Sequence, residues 1–342
     1  MANTGRGRLA ACALALTALA VGGCRPDADT LVVYAALDAE FSRPILEEFS
    51  RQTGIEVRPK FDVESTKTVG LAEALIAERA RPRCDLFWNN EILHTLRLQR
   101  LGLLDVYRPR RADEYPAAMR SPQGTWHGFA ARARIILVNT ELVGPDDEPR
   151  SVFDLADERW RGRVGLAKPL FGTTATHAAV LFATWGPERA REFFLQAKPN
   201  VQIVSGNKHV AQAVGGGQLA WGLTDTDDAL AELDAGRPVK IVYPDQREGE
   251  PGTLFIPNTL AILKGAPHAE AARRLADYLL TPEVETKLSL GPAGQIPLHP
   301  SAESSGRVET PNTVRAMSVD WNRAGEVWDE TARFLRDEFS GE

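Results

Sequence analysis

Cysteine is nearly absent from this chain, three in 342 residues. Cys12 and Cys24 belong to an N-terminal export segment, which leaves Cys84 alone, so no disulfide framework is available and a hydrophobic core must hold the fold. Histidine is scarce too: six residues, with neither an HExxH motif nor another clustered metal spacing, and His177 reads as packing rather than as a ligand. There is no GxSxG nucleophile elbow and no Walker loop; residues 215–217, three glycines, read as a helix stop. A formal charge of −6 without any basic run gives no footing for nucleic acid or an anionic membrane surface. Cys84 precedes a strand rather than an activating helix terminus and reads as a buried hydrophobe.

The N-terminus carries a basic start (Arg6, Arg8), an apolar run over 9–21 and then Val21-Gly22-Gly23-Cys24. That run falls short of the roughly 20 residues a membrane-spanning helix needs and has the length of a signal-peptide core. Cys24 after small residues resembles a lipobox, so residues 1–23 are expected to be a lipoprotein signal peptide and Cys24 the lipidated first residue; an ordinary signal peptide with an incidental cysteine is the alternative. Removal of 1–23 takes two arginines and no acid, moving the charge from −6 to −8. A remainder this long favours two domains over one.

After a polar tether over 24–30, strands and helices alternate. Strands are expected at 31–35, 55–59, 84–88 and 135–139, with helices over 41–53, 69–80 and 92–100 between them; Gly54 suits the position after the first helix. The second half repeats the pattern, with strands at 163–167, 201–204, 218–223 and 239–243 and helices over 173–185, 187–197, 209–214 and 227–235. One long strand over 252–263, a helix over 268–280 and a last helix near 327–339 complete the chain. Alternation of this kind implies an α/β fold with a mainly parallel sheet.

In open α/β sheets, ligands bind beyond the carboxyl ends of strands. That rule selects Asp38, Asn90 and Glu91, the Phe171-Gly172-Thr173-Thr174 and Ser205-Gly206-Asn207-Lys208 stretches, and the run Thr224-Asp225-Thr226-Asp227-Asp228. Three carboxylates in four positions suit a hard cation or an amine, and equally suit helix capping and dipole stabilisation; the glycine and distal Glu of an EF-hand are missing. Thr173 and Thr174 open a helix and form either an anion site or a plain N-terminal cap. Arg132 and Arg134 alternate along a strand start, so both can face one cleft or both be solvated.

Taken together, ordered pieces resemble the solute-binding proteins of ABC importers, specifically the ferric-ion-binding periplasmic group. They are Leu31-Val-Val-Tyr-Ala with Gln52-Thr-Gly-Ile-Glu-Val, Asp85-Leu-Phe-Trp, Leu101-Gly-Leu-Leu, Trp160-Arg-Gly-Arg-Val-Gly, Gln212-Ala-Val, and 271–280 followed by Gln295-Ile-Pro-Leu. The resemblance implies a two-lobed type II periplasmic-binding-protein fold with the ligand in the cleft between lobes. Lobe 1 would comprise 31–131 and 261–300 and lobe 2 132–260, with hinge strands near 132–139 and 252–260 and a C-terminal helical segment over 301–342. It further implies a metal set drawn from Asp38, Glu91 and Asp227, and a companion-anion set of Thr173, Thr174 and Asn207 with Arg132 or Arg134 nearby. One departure stands out: where iron-binding members carry adjacent tyrosines, this chain has Thr226-Asp227. Phenolates are hard anionic donors suited to Fe(III), and their absence weakens the case for iron.

The expectation is therefore a monomeric, lipid-anchored, periplasmic or cell-surface solute-binding protein, with no catalysis and no cofactor of its own. It would deliver ferric iron or another metal ion, with phosphate or carbonate, to an ABC permease and its ATPase. A phosphorylated or zwitterionic organic solute on the same fold is the near alternative. From another class, an exported metal-dependent phosphate-ester hydrolase would use Asp38, Glu91 and Asp227 to hold metals, although it would lack the usual histidine support. A sensory lipoprotein reporting to a membrane receptor is a third reading.

Overall fold

The computed structural model describes residues 1–2, 30–62 and 69–340; the candidate lipidation site Cys24 and nearly all of the export segment lie outside them. In the first half, β1 (Thr30–Ala35), β2 (Glu56–Phe61) and β3 (Leu86–Asn89) alternate with α1 (Ala39–Thr53), α2 (Val69–Ala77) and α3 (Leu93–Arg100). The first helix buries Ile45, Leu46 and Phe49, one stripe at helical spacing, and ends at Gly54, whose φ of 75° is the left-handed turn glycine adopts without strain. Then come β4 (His127–Asn139), β5 (Val164–Ala167), α4 (Gly172–Trp185), α5 (Pro187–Ala197), β6 (Val201–Val204), α6 (Asn207–Gly215), β7 (Trp221–Asp225), α7 (Thr226–Asp234), β8 (Val239–Val242) and β9 (Phe255–Ile262). The chain closes with α8 (Ala269–Leu279), α9 (Pro282–Leu290) and α10 (Trp321–Phe339).

Strand order is β2-β1-β3-β9-β4-β7-β5-β6, with β8 also on β4. The expectation of a mainly parallel sheet is corrected. Pairs made through helical crossovers are parallel (β1 with β2 and β3, β5 with β6 and β7), whereas every pair involving β4 or β9 is antiparallel. Those two strands run against the βαβ units because they carry the chain from one set of units to the other.

β4 does most to place the site. Its thirteen residues are all buried. It pairs with β9 as far as Ala133, and from Arg134 onward with β7, then β8. It is thus one continuous strand shared by two sheets, the first flanked by α1 and α8, the second by α4, α6 and α7. α10 packs against both α3 and α4, with Gly325 close against Leu96, so the C-terminal helix links the two halves. Cys84 is buried as expected, and burial pushes its thiol well above its ordinary range.

Candidate functional site

Four helix N-termini meet in one cleft. On the wall formed by the second sheet these are α4, α6 and α7, which begin directly beyond β5, β6 and β7; on the opposite wall is α1, beyond β1. At none of the four does the residue before the first turn (Phe171, Gly206, Asp225, Asp38) cap the helix with its own side chain. The free N–H groups and the dipoles at these ends favour anionic groups in the cleft.

The acidic run therefore does something other than cap. Asp225 stands opposite Arg134 in the β4–β7 register, and its carboxylate accepts from the Arg134 guanidinium at 2.7 Å. Arg132, two residues earlier on β4, pairs with Asp227 at 3.0 Å, with both side chains screened from solvent. Carboxylate oxygens of Asp225, Asp227 and Asp228 lie within 4.8 Å of one another. Three negative groups that close repel strongly, and the two buried guanidinium groups are what make the arrangement tenable.

A second polar layer surrounds Arg134. Thr173 Oγ1 donates to Asp225 at 2.5 Å and accepts from Asn207 Nδ2 at 2.7 Å; Thr174 Oγ1 donates to Asn207 Oδ1 at 3.0 Å, which also accepts from Arg134. Every member is held by at least two others, so the first turn of α4 is fixed relative to β7 and α6. Burial works against the charge on Arg132, but Asp227, Asp225, Asp38 and Asp228 more than offset it and raise the guanidinium above its usual range. Arg132 is 4 % exposed, and its Nε and Nη2 have no hydrogen-bond partner.

Of the residues selected from the sequence, Asp38, Asn90, Arg132, Thr173, Thr174, Asn207, Asp225, Asp227 and Asp228 line the cleft. Three do not. Arg134 is fully buried beneath it in the network just described. Thr226 turns its hydroxyl to the β4 backbone, accepting from Ala133 N–H at 3.2 Å. Glu91 is corrected as a metal candidate: its carboxylate accepts from the N–H groups of Leu93 and His94, from Asn89 and from Thr176 Oγ1 at 2.8 Å, which makes it the cap of α3 and a tie to α4. Glu40, Phe41 and Lys168 also line the cleft and were not selected. Lys168 directly follows β5, so the strand-end rule would have found it.

None of the five tyrosines reaches the cleft. Tyr34 donates to Glu78, and Trp88 packs on Phe129 at 5.4 Å. Five carboxylates and three cationic side chains line the cleft, Asp38, Glu40, Asp225, Asp227 and Asp228 with Arg132, Lys168 and Lys208, and Lys168 Nζ also donates to the Ser340 carbonyl at 3.5 Å. The room for centres of water-sized groups is about 70 Å³, enough for a few such groups and thus for a small solute.

Comparison with known proteins agrees with this architecture. Residues 94–326 match the bacterial extracellular solute-binding protein family. The chain is 24% identical over 312 residues to the major ferric iron-binding protein of Neisseria meningitidis, covering 89% of this chain and 92% of that one. It is 26% identical over 250 residues to a Salmonella typhimurium periplasmic protein named for 2-aminoethylphosphonate binding, covering 70% and 69%. Among solved structures, iron-bound HitA from Pseudomonas aeruginosa superposes with a TM-score of 0.82 at 23% identity, over 90% of this chain and 99% of that one, a likeness of fold.

Proposed function

Because the chain belongs to the bacterial extracellular solute-binding proteins, we propose that it is the lipid-anchored receptor subunit of an ABC importer, and that its cleft holds a small zwitterion bearing a phosphonate or phosphate and an ammonium group. The observation that carries this reading is Arg132, a guanidinium buried at the cleft wall whose Nε and Nη2 have no hydrogen-bond partner, with aspartates around it. Its free N–H groups, the α4 and α6 N-termini, Lys168 and Lys208 favour an anionic head. Asp38, Asp228 and Glu40 favour the ammonium end. The small cavity agrees with a solute of this size.

Capture would follow the hinge closure of periplasmic binding proteins, with no bond made or broken. Lobe 1 would comprise 31–131 and 261–300 and lobe 2 132–260, with the hinge in β4 and β9 and the 301–342 segment bracing the rear. Release into a permease with its ATPase, and action as a monomer anchored through Cys24 outside the cytoplasm, belong to the same proposal. Among the described residues no helix is long and apolar enough to cross a membrane.

Ferric or another metal ion with a companion anion is the second reading, favoured by the close approach of Asp225, Asp227 and Asp228 and by the ferric iron-binding relative. Against it, two of those carboxylates are already neutralised by arginine, and a multivalent cation would sit beside two buried guanidinium groups with no phenolate to help. A ligand that binds only the folded state raises its melting temperature. The test is the melting temperature of stripped residues 25–342 with 2-aminoethylphosphonate, phosphate, and ferric ion with and without phosphate. A rise with the aminophosphonate alone supports the first reading; a rise that requires ferric ion replaces it with the second.

A further inference from the structure

Arg132 faces the cleft because β4 carries one residue too many. Phe129 stands opposite Asn258 on β9 and Arg132 opposite Ile256, three residues on one strand against two on the other. Without that extra residue, the two-residue alternation of the strand would send Arg132 to the other face of the sheet. On β9, Pro257 is the one residue between the two paired positions, facing Ala130 and Ala131 on β4.

The unpaired backbone of Ala130 and Ala131 is satisfied from elsewhere. Ala130 N–H donates to Glu285 Oε1 at 2.6 Å, its carbonyl accepts from Asn258 Nδ2, and Ala131 exchanges two 2.7 Å hydrogen bonds with Ile296. Ala130 itself has φ of 43°, the left-handed region that a residue with a Cβ enters only when its surroundings hold it there. Glu285, on α9, is completely buried and also accepts from the N–H groups of Leu298 (3.0 Å) and His299 (2.6 Å). One carboxylate thus ties the strained bulge to the 296–299 segment.

We propose that Glu285 is a positioning residue for the ligand-binding guanidinium: by clamping the Ala130–Ala131 bulge it fixes the face and the depth at which Arg132 enters the cleft. This rests on the functional reading above only for the role given to Arg132; the clamp itself is independent of ligand.

Glu285→Gln is nearly isosteric but turns an amide N–H toward backbone donors. The direct readout is the Nε–H signal of Arg132 in ligand-free protein, assigned by its loss in Arg132→Lys, with the Arg134 Nε–H signal as internal reference. The expected result is a shifted, faster-exchanging Arg132 signal and an unchanged Arg134 signal, because Asp225 and Thr173 hold Arg134 separately. Should the Glu285 variant not fold, Asn258→Ala, which removes the donor to the Ala130 carbonyl, is expected to move the same signal. Affinity for 2-aminoethylphosphonate should fall about tenfold in Glu285→Gln, and hardly further when Arg132→Lys is already present, as coupled residues in one network behave. An unchanged Arg132 signal, or equal displacement of both arginine signals, overturns the proposal. Failure of the wild type to bind the aminophosphonate would defeat the functional reading and leave the signal comparison standing.

Discussion

Arg132 and Asp227 form an ion pair at 3.0 Å inside the cleft, from adjacent elements, β4 and α7, that the chain reaches nearly a hundred residues apart. Removing Asp227 leaves the buried Arg132 charge with only Asp225, Asp38 and Asp228 to offset its burial. Asp227→Ala is expected to cost about 3 kcal/mol in urea unfolding, whereas Arg132→Met with Asp227→Leu should recover most of that loss. Both variants should lose ligand binding, so stability and affinity separate.

Two threonines one turn apart on α4 should behave differently. Thr173 links Asp225 and Asn207 at the cleft, while Thr176 donates to Glu91 behind it. Each Thr→Val change should destabilise by about 1–2 kcal/mol, as loss of a buried hydrogen bond does. Only Thr173→Val should also weaken binding of the anionic solute, by roughly tenfold. Calorimetric titration of the two variants side by side checks this.

Two buried groups give opposite pH dependences. His177 has no partner for either ring nitrogen, and burial lowers its pKa to about 3. The unfolded chain takes up its proton first, so stability present above about pH 6.5 is lost as pH falls toward 3. Burial raises the Asp245 carboxyl to about 6, so the folded protein holds that proton more tightly, and stability falls as pH rises from about 4 to 6. Asp245→Asn, which tolerates the φ of 62° at this position, should therefore be more stable than wild type at pH 7, by at most about 3 kcal/mol, and equal to it below pH 4. His177→Gln should flatten the acid side instead. Melting curves across pH 3–8 separate the two.

At Gly128, early in β4, an added Cβ would lie 2.6 Å from the Met119 carbonyl and 3.1 Å from Pro257. Both neighbours are held by the backbone and cannot swing away. Gly128→Ala is expected to lower stability by about 1–3 kcal/mol, read from the denaturation midpoint.

Most element positions were legible because they follow from periodicity and end signals: the Ile45-Leu46-Phe49 stripe, the Gly54 stop and the short β-branched runs of β1 and β6. The length of β4 was not, since Phe129-Ala-Ala-Arg-Ala-Arg contains two charges and three alanines and becomes strand only by burial between two sheets. α9 was missed as well, although Thr281 caps it and Pro282 opens it. For the site, the strand-end rule gave the right loops and could not give depth. It does not distinguish Asp38, at the cleft, from Glu91, whose position two residues before α3 turns its carboxylate onto that helix's own N–H groups. Nor could spacing tell that the bulge at Ala130, rather than simple alternation, brings Arg132 to the cleft.

The central claim is that the cleft recognises both ends of a zwitterion, and titration calorimetry of stripped protein at pH 7 tests it most directly, with 2-aminoethylphosphonate compared against ethylphosphonate. Loss of the ammonium group should weaken binding at least about tenfold, since it removes the cation that Asp38, Asp228 and Glu40 attract. Equal affinity for the two, or binding of ferric ion with no response to either phosphonate, would contradict the account.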